Sequence, residues 1–237
     1  MPVGSNEMIA EILPAAVVAV EARSDPPDVV LFAAEQAVLG RAVAKRRREF
    51  TTARDCAHRA LTVLGLPPLP IPSGPRGEPR WPMGIVGSIT HCHGYRACAV
   101  ARASELLALG IDAEPNEPLP AGVLGAIARP EELPQLCQLA HTTPAVHWDR
   151  LLFSAKESVY KAWFPLTRQE LGFEDAVLAI DPRAGSFTAR LLVPAPPAAD
   201  VRPRTLSGRW LVRDGLVLTA IALLAPAVPI ALAVPDE

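Results

Sequence analysis

Prolines and glycines, 26 and 15 of the 237 residues, cut this chain into short pieces, and that punctuation constrains its fold more than any other feature. Two stretches escape it for long enough to form long helices. Across residues 44–64, Phe50, Ala57, Leu61 and Leu64 recur at three-, four- and seven-residue spacings, and Gly65 stands where a helix C-cap is expected. Across 145–164, Trp148, Leu151, Leu152, Ala155, Val159 and Ala162 share one side, and Pro165 is expected to stop the helix. Most of the remaining pieces have strand length. Residues 15–22 read as a strand, 85–89, 95–101 and 106–113 as a small antiparallel meander, and 176–180, 187–193, 206–212 and 216–223 as strands between Pro-rich turns. Residues 121–140 read as broken helix, and 67–82 as a loop that presents Arg76 on a stiff backbone. Strand, helix and strands therefore occur once in each half, which predicts an α+β fold, although no repeat is visible by residue identity.

Residues 216–234 are uncharged over the length of a membrane-spanning helix. Pro226 and Pro229 break the run, and Asp214-Gly215 just before it is a two-residue hairpin signal, so it reads as a strand followed by a Pro-broken tail. Half of the residues are hydrophobic, enough for a sizeable core in one domain or two small ones. A formal net charge of −2 leaves no bulk attraction for nucleic acid or an anionic membrane. Cys56, Cys92, Cys98 and Cys137 show no CxxC spacing, and the N-terminus carries Glu7 and Glu11 where an export signal has basic residues. Free thiols in the cytoplasm are expected.

Charge is uneven along the chain. Between Arg41 and Arg59 seven bases face two acids, and between Glu105 and Asp149 seven acids face one base. The first region suits phosphates and the second a cation. Arg47 and Arg54, seven apart, project within about 20° of each other on a helix and offer two rigid guanidinium forks, although a solvated basic face explains the run as simply. Asp112 and Glu114, two apart at a strand end, put both carboxylates on one face, where they repel unless a hard cation such as Mg2+ neutralises them; two exposed acids are the plain alternative. Glu157 and Lys161 have the spacing of an i,i+4 helix pair, with Lys156 beside them. Ser88, Thr90 and His91 close a strand with three groups able to donate to phosphate oxygens. The His and Cys residues match no zinc-ligand spacing, and neither a nucleotide-binding glycine loop nor a serine-hydrolase elbow is present.

Each cluster is common alone, and their order is what is specific. Lys45-Arg46-Arg47-Arg48-Glu49-Phe50 with Arg54, then Gly77-Glu78-Pro79 and Trp81-Pro82, then Gly87-Ser88-Ile89-Thr90-His91, then Gly110-Ile111-Asp112-Ala113-Glu114, then the helix from Phe153 through Lys156-Glu157 to Lys161-Ala162 resembles the Sfp/EntD-type 4'-phosphopantetheinyl transferases. The likeness covers about residues 41–175, including Leu171-Gly172-Phe173-Glu174-Asp175 as found in actinobacterial members serving fatty-acid, polyketide and siderophore synthases.

The resemblance implies a pseudo-two-fold pair of α+β halves, 1–105 and 106–237, with the active site in the cleft between them. It implies transfer of the phosphopantetheine arm of coenzyme A to a serine of an apo acyl or peptidyl carrier protein, with release of adenosine 3',5'-bisphosphate. It further implies Mg2+ held by Asp112, Glu114 and Glu157, with Glu157 as metal ligand, base or both. Lys161 and Lys156 would face the leaving phosphate, and Arg47, Arg54, Arg76, His91 and Ser88 or Thr90 the diphosphate and 3'-phosphate. Relatives often carry Lys where this chain has Arg76. A monomer in the cytoplasm, without nucleic-acid or membrane partners, is expected. The rival expectation is a coenzyme-binding module without turnover.

Overall fold

The computed structural model describes residues 7–40, 42–194 and 204–226. Arg41 of the basic run and the expected tail with Pro229 lie outside them. The elements follow the punctuation: β1 (Val18–Ala22), α1 (Ala33–Leu39), α2 (Ala44–Val63), β2 (Ile85–Cys92), β3 (Tyr95–Arg102), β4 (Leu106–Pro115), α3 (Val123–Ile127), α4 (Leu133–Thr142), α5 (Trp148–Thr167), β5 (Ala176–Asp181), β6 (Ser186–Leu191), β7 (Thr205–Arg213) and β8 (Leu216–Leu224).

Two antiparallel sheets result, one in the order β1-β3-β2 and one in the order β4-β8-β7-β6-β5. Strand alternation distributes the core among them. Cys98 and Val100 of β3 face α2, where Cys56, Ala57, Ala60 and Leu61 meet them. Tyr95, Ala97, Ala99 and Ala101 face the other way and pack on Leu109, Ile111 and Ala113 of β4 and on Leu216, Leu218 and Ala220 of β8. The far side of the second sheet is covered by α5, whose Leu151, Leu152, Ala155, Val159 and Ala162 are buried with Val217 and Ile221. Helix, sheet, sheet and helix therefore stack in four layers, an α+β arrangement with one 20-residue helix over each sheet.

Two expectations are corrected. The meander of three strands does not form, because β4 runs along β8 in the second sheet. Its outer edge meets β2 through side chains instead: the Ile111 N–H donates to Ser88 Oγ (3.0 Å) and the Ala113 N–H to Thr90 Oγ1 (3.1 Å). Pro165 does not stop α5, which runs on to Thr167 before Arg168 closes it in the left-handed region (φ 57°). A proline in the last turn deletes one backbone hydrogen bond, and the following residues keep theirs. Helix 44–64 and the 214–215 hairpin form where expected, with Asp214 at φ 51° and Gly215 at φ 73° as that turn requires. Strand β8 confirms that the apolar run begins as a sheet strand, and among the described residues no helix is long and apolar enough to cross a membrane. All four cysteines are free thiols.

Candidate active site

Because Ile111 and Ala113 turn toward the first sheet, Gly110, Asp112 and Glu114 turn toward α5. The helix lies close there because Gly110 has no side chain: a Cβ would stand 2.1 Å from the carbonyl oxygen of Ser158. Glu157 and Lys161, one turn apart, are thereby held over the strand. Asp112 is 4% exposed. Its Oδ1 accepts from Lys161 Nζ (2.6 Å) and Thr90 Oγ1 (3.2 Å), while its Oδ2 is buried without a partner. Glu114 Oε2 accepts from Arg150 Nη1 (3.0 Å), and the same guanidinium donates to the carbonyls of Glu117 (3.0 Å) and Pro118 (2.9 Å).

Burial, reinforced by the Asp112 charge, pushes the Glu114 carboxyl up to about 7 against the opposing pull of Arg150. Burial also raises Glu157, with Lys161 opposing and Asp112 adding to the rise. These acids are uncomfortable as anions, and an orphaned carboxylate oxygen sits among them, so the donor set suits a hard divalent cation. Among the described residues no three such side chains converge in ligand geometry. Lys161 and Arg150 hold Asp112 and Glu114 instead.

On the other side of β2, a cavity of about 230 Å³ is lined by Arg46, Phe50, Arg54, Ser73, Ile89 and His91, among others. Arg54 is 3% exposed, donates to Ser73 Oγ (3.1 Å), lies 4.5 Å over the Phe50 ring and keeps its Nε buried without a partner. His91 Nε2 is 2.6 Å from Arg46 Nη1. A guanidinium only donates, so Nε2 accepts and the ring is neutral with its proton on Nδ1, 3.9 Å from Glu49. Burial and the Arg46 charge both hold His91 below the usual imidazole range.

The structure redistributes several expected residues. Arg47 is exposed and does not line this cavity; it donates to the carbonyls of Gly40 (2.5 Å) and Ala42 (3.1 Å) and ties down the turn before α2. Arg46, which the spacing argument passed over, takes its place. The signal was in the sequence: Arg46 lies four and seven residues before Phe50 and Ala53, on the stripe that lines this cavity. Alternation along β2 sends Ile89 and His91 into the cavity and Ser88 and Thr90 to the opposite side, buried against β4, where they bridge the two sheets. The Lys156 ammonium is buried among backbone carbonyls, although its side chain lines a groove together with Glu157. Arg76 stands on its loop at the rim of a cleft of about 790 Å³, paired with Glu170 in the segment just after α5. Arg150 carried no motif and was not anticipated.

A family model described as the 4'-phosphopantetheinyl transferase N-terminal domain matches residues 34–101, and one described as the 4'-phosphopantetheinyl transferase superfamily matches residues 108–213. The chain is 56% identical over 223 residues to the 4'-phosphopantetheinyl transferase Svp of Streptomyces mobaraensis, covering 93% of this chain and 91% of that protein. It is 48% identical over 232 residues to the transferase PptT of Mycobacterium tuberculosis, covering 94% and 100%. With enterobactin synthase component D of Salmonella typhimurium it shares 31% over 180 residues, covering 75% and 72%.

Proposed function

The chain belongs to the 4'-phosphopantetheinyl transferase superfamily, and on that premise we propose that it works in the gap where β2, β4 and α5 meet. It is an enzyme that transfers the 4'-phosphopantetheine of coenzyme A to a carrier protein. The observation that carries the site is the Asp112 carboxylate, with one oxygen on Lys161 and the other buried and open.

The carrier serine hydroxyl attacks the β-phosphorus. A bond forms between its oxygen and that phosphorus, and the bond to the bridging oxygen breaks, so adenosine 3',5'-bisphosphate departs with the α-phosphate. Such a step depends on positioning and on charge neutralisation. Arg46, Arg54 and His91 hold the 3'-phosphate in their cavity, and Arg76 reaches the coenzyme from the rim. Lys161 neutralises charge developing on the leaving phosphate. Glu157, raised by burial, accepts the serine proton at a carboxylate oxygen. Asp112, Glu114 and Glu157 would hold Mg2+, which would supply Lewis-acid chemistry toward the diphosphate. Ser88 and Thr90 act at one remove by fixing β4, and Thr90 also fixes Asp112 itself. A groove of about 230 Å³ beside Glu157, lined by Lys156, Tyr160, Leu171, Gly172, Phe173 and Ala176, takes the pantetheine arm.

The boundary between the halves falls at residues 105/106, a reading supported by the two family matches on either side and by β4 leading the second sheet. Carrier domains of fatty-acid, polyketide and nonribosomal peptide synthases are the substrates, siderophore synthases among them. The enzyme acts as a cytoplasmic monomer. Mass spectrometry of an apo carrier protein incubated with this protein, coenzyme A and Mg2+ tests the reading. Addition of the phosphopantetheine mass is expected, and coenzyme A binding without that addition would overturn it.

A further inference from the structure

Lys156 lies beside Glu157 on α5, yet the transfer chemistry leaves it unused. Its Nζ donates to the carbonyl oxygens of Ile127 (2.8 Å), Phe173 (2.8 Å) and Ala176 (3.0 Å) and lies 2.9 Å from Glu132 Oε2. Four acceptors surround three N–H groups, and the side chains of Lys156 and Glu132 are 2% and 1% exposed. Glu132 is committed in turn: its Oε1 accepts from the Leu178 N–H (2.7 Å) and its Oε2 from the Arg129 N–H (2.7 Å).

The three carbonyls belong to irregular points of the backbone: the end of α3, the 3-10 turn Phe173–Asp175 and the start of β5. Carbonyls at such points lack regular partners, and leaving them buried and bare is costly. An ammonium satisfies three at once, and the Glu132 carboxylate balances its charge. Phe173 and Ala176, two of the residues it holds, line the groove beside Glu157.

We infer that Lys156 is a positioning residue: with Glu132 it fixes the 171–176 wall of the pantetheine groove against Glu157, and it makes no contact with the phosphates of coenzyme A. To reach a phosphate the ammonium would have to abandon all three carbonyls. The assignment rests on the transferase reading above, which fails separately if the wild-type protein does not modify a carrier.

Adenosine 3',5'-bisphosphate separates the arm from the 3'- and α-phosphates, because it carries those two and lacks the β-phosphate and the arm; Glu132→Gln, which keeps the lysine charge, separates the arm from the β-phosphate. Lys156→Met and Glu132→Gln are each expected to raise KM for coenzyme A by roughly tenfold, as a displaced positioning element does. Both should leave the bisphosphate affinity, measured by calorimetry, within about twofold of wild type. Glu132 is decisive, since Glu132→Gln disturbs the wall without removing the lysine charge. Loss of bisphosphate binding in Lys156→Met, with Glu132→Gln behaving as wild type, would overturn the assignment. So would equal weakening of both ligands in both variants at matched folded fraction. Should either variant not fold, hydrogen exchange on the wild-type protein decides: amides of residues 172–178 should gain protection with coenzyme A and not with the bisphosphate, and equal protection by both would overturn the proposal.

Discussion

Lys161 Nζ stands 2.6 Å from one oxygen of Asp112, and the other oxygen of that carboxylate is buried with no partner. The lysine reaches this point from α5 and the aspartate from β4, so the pair also measures how closely helix and strand are packed. Preorganised charge of this kind is worth most where charge develops during reaction. Lys161→Ala is therefore expected to lower kcat by about 10²–10³, with little change in KM for the carrier, in single-turnover assays. An unchanged kcat with a raised KM would assign Lys161 to ground-state binding instead.

Asp112→Asn keeps the shape of the side chain and its neighbours, and it removes the negative charge that a divalent cation needs. The variant should fold as wild type by circular dichroism. Thermal unfolding of the wild-type protein should move upward with Mg2+ and coenzyme A together, and Asp112→Asn should lose the part of that shift that depends on Mg2+. A full Mg2+-dependent shift in the variant would show that Asp112 is no ligand.

The 3'-phosphate reading predicts an ordering among three neighbouring arginines. Arg46→Ala and Arg54→Ala each remove a charge-assisted hydrogen bond and should weaken coenzyme A by about 10- to 100-fold, with 3'-dephospho-coenzyme A little affected. Arg47→Ala should change either ligand by less than about threefold, because its guanidinium is spent on the turn before α2. A second readout is independent of ligand. The Arg46 charge joins burial in holding His91 low, so in Arg46→Gln the imidazole should titrate at higher pH by NMR.

Glu35 is fully buried and accepts from His58 (2.8 Å), the Ile71 N–H (2.8 Å) and the Phe32 N–H (3.0 Å). Burial alone would raise this carboxyl, but the hydrogen bonds from His58, Ile71 and Phe32 outweigh it and hold it below its ordinary value of 4.5. A group lowered by folding stabilises the protein above its unfolded pKa and loses that contribution as pH falls through the folded one. Glu35→Gln should therefore be clearly less stable than wild type to urea at pH 7, and the gap should narrow steadily below pH 4.5. A gap independent of pH would mean that only the shape of the side chain matters.

Residues whose role follows from local pattern were legible in the sequence. The long helices, the Asp214-Gly215 turn and the two-residue spacing that puts Asp112 and Glu114 on one face all follow from short-range periodicity. What escaped depends on what lies across from a residue. No period says that β4 pairs with β8 and not with β3, since both partners offer apolar strands. The choice between Arg46 and Arg47 turns on the Gly40 and Ala42 carbonyls, which take up the guanidinium of one of them. Arg150 is an unremarkable helix residue until Glu114 and the carbonyls of Glu117 and Pro118 gather around its guanidinium. Lys156 beside Glu157 looks like part of the chemistry, and only the three carbonyls behind it reveal a different role.

Gly110 is the residue on which the spacing of the site depends, although it has no polar side chain to offer. A Cβ there would lie 2.1 Å from the Ser158 carbonyl oxygen and 2.8 Å from the Ala162 nitrogen, both backbone atoms that cannot rotate away. Gly110→Ala must therefore push α5 off β4. Overpacking of this kind costs about 1–3 kcal/mol, a loss that the other contacts of both elements should survive. Glu157 and Lys161 move with the helix while Asp112 and Glu114 stay with the strand, and a misplacement near 1 Å can cost about a hundredfold in rate. The variant is expected to remain folded at 25 °C with a lowered melting temperature and to lose roughly that factor in kcat/KM. A melting temperature lowered as expected with kcat/KM near wild type would show that the strand-to-helix distance does not set the chemistry.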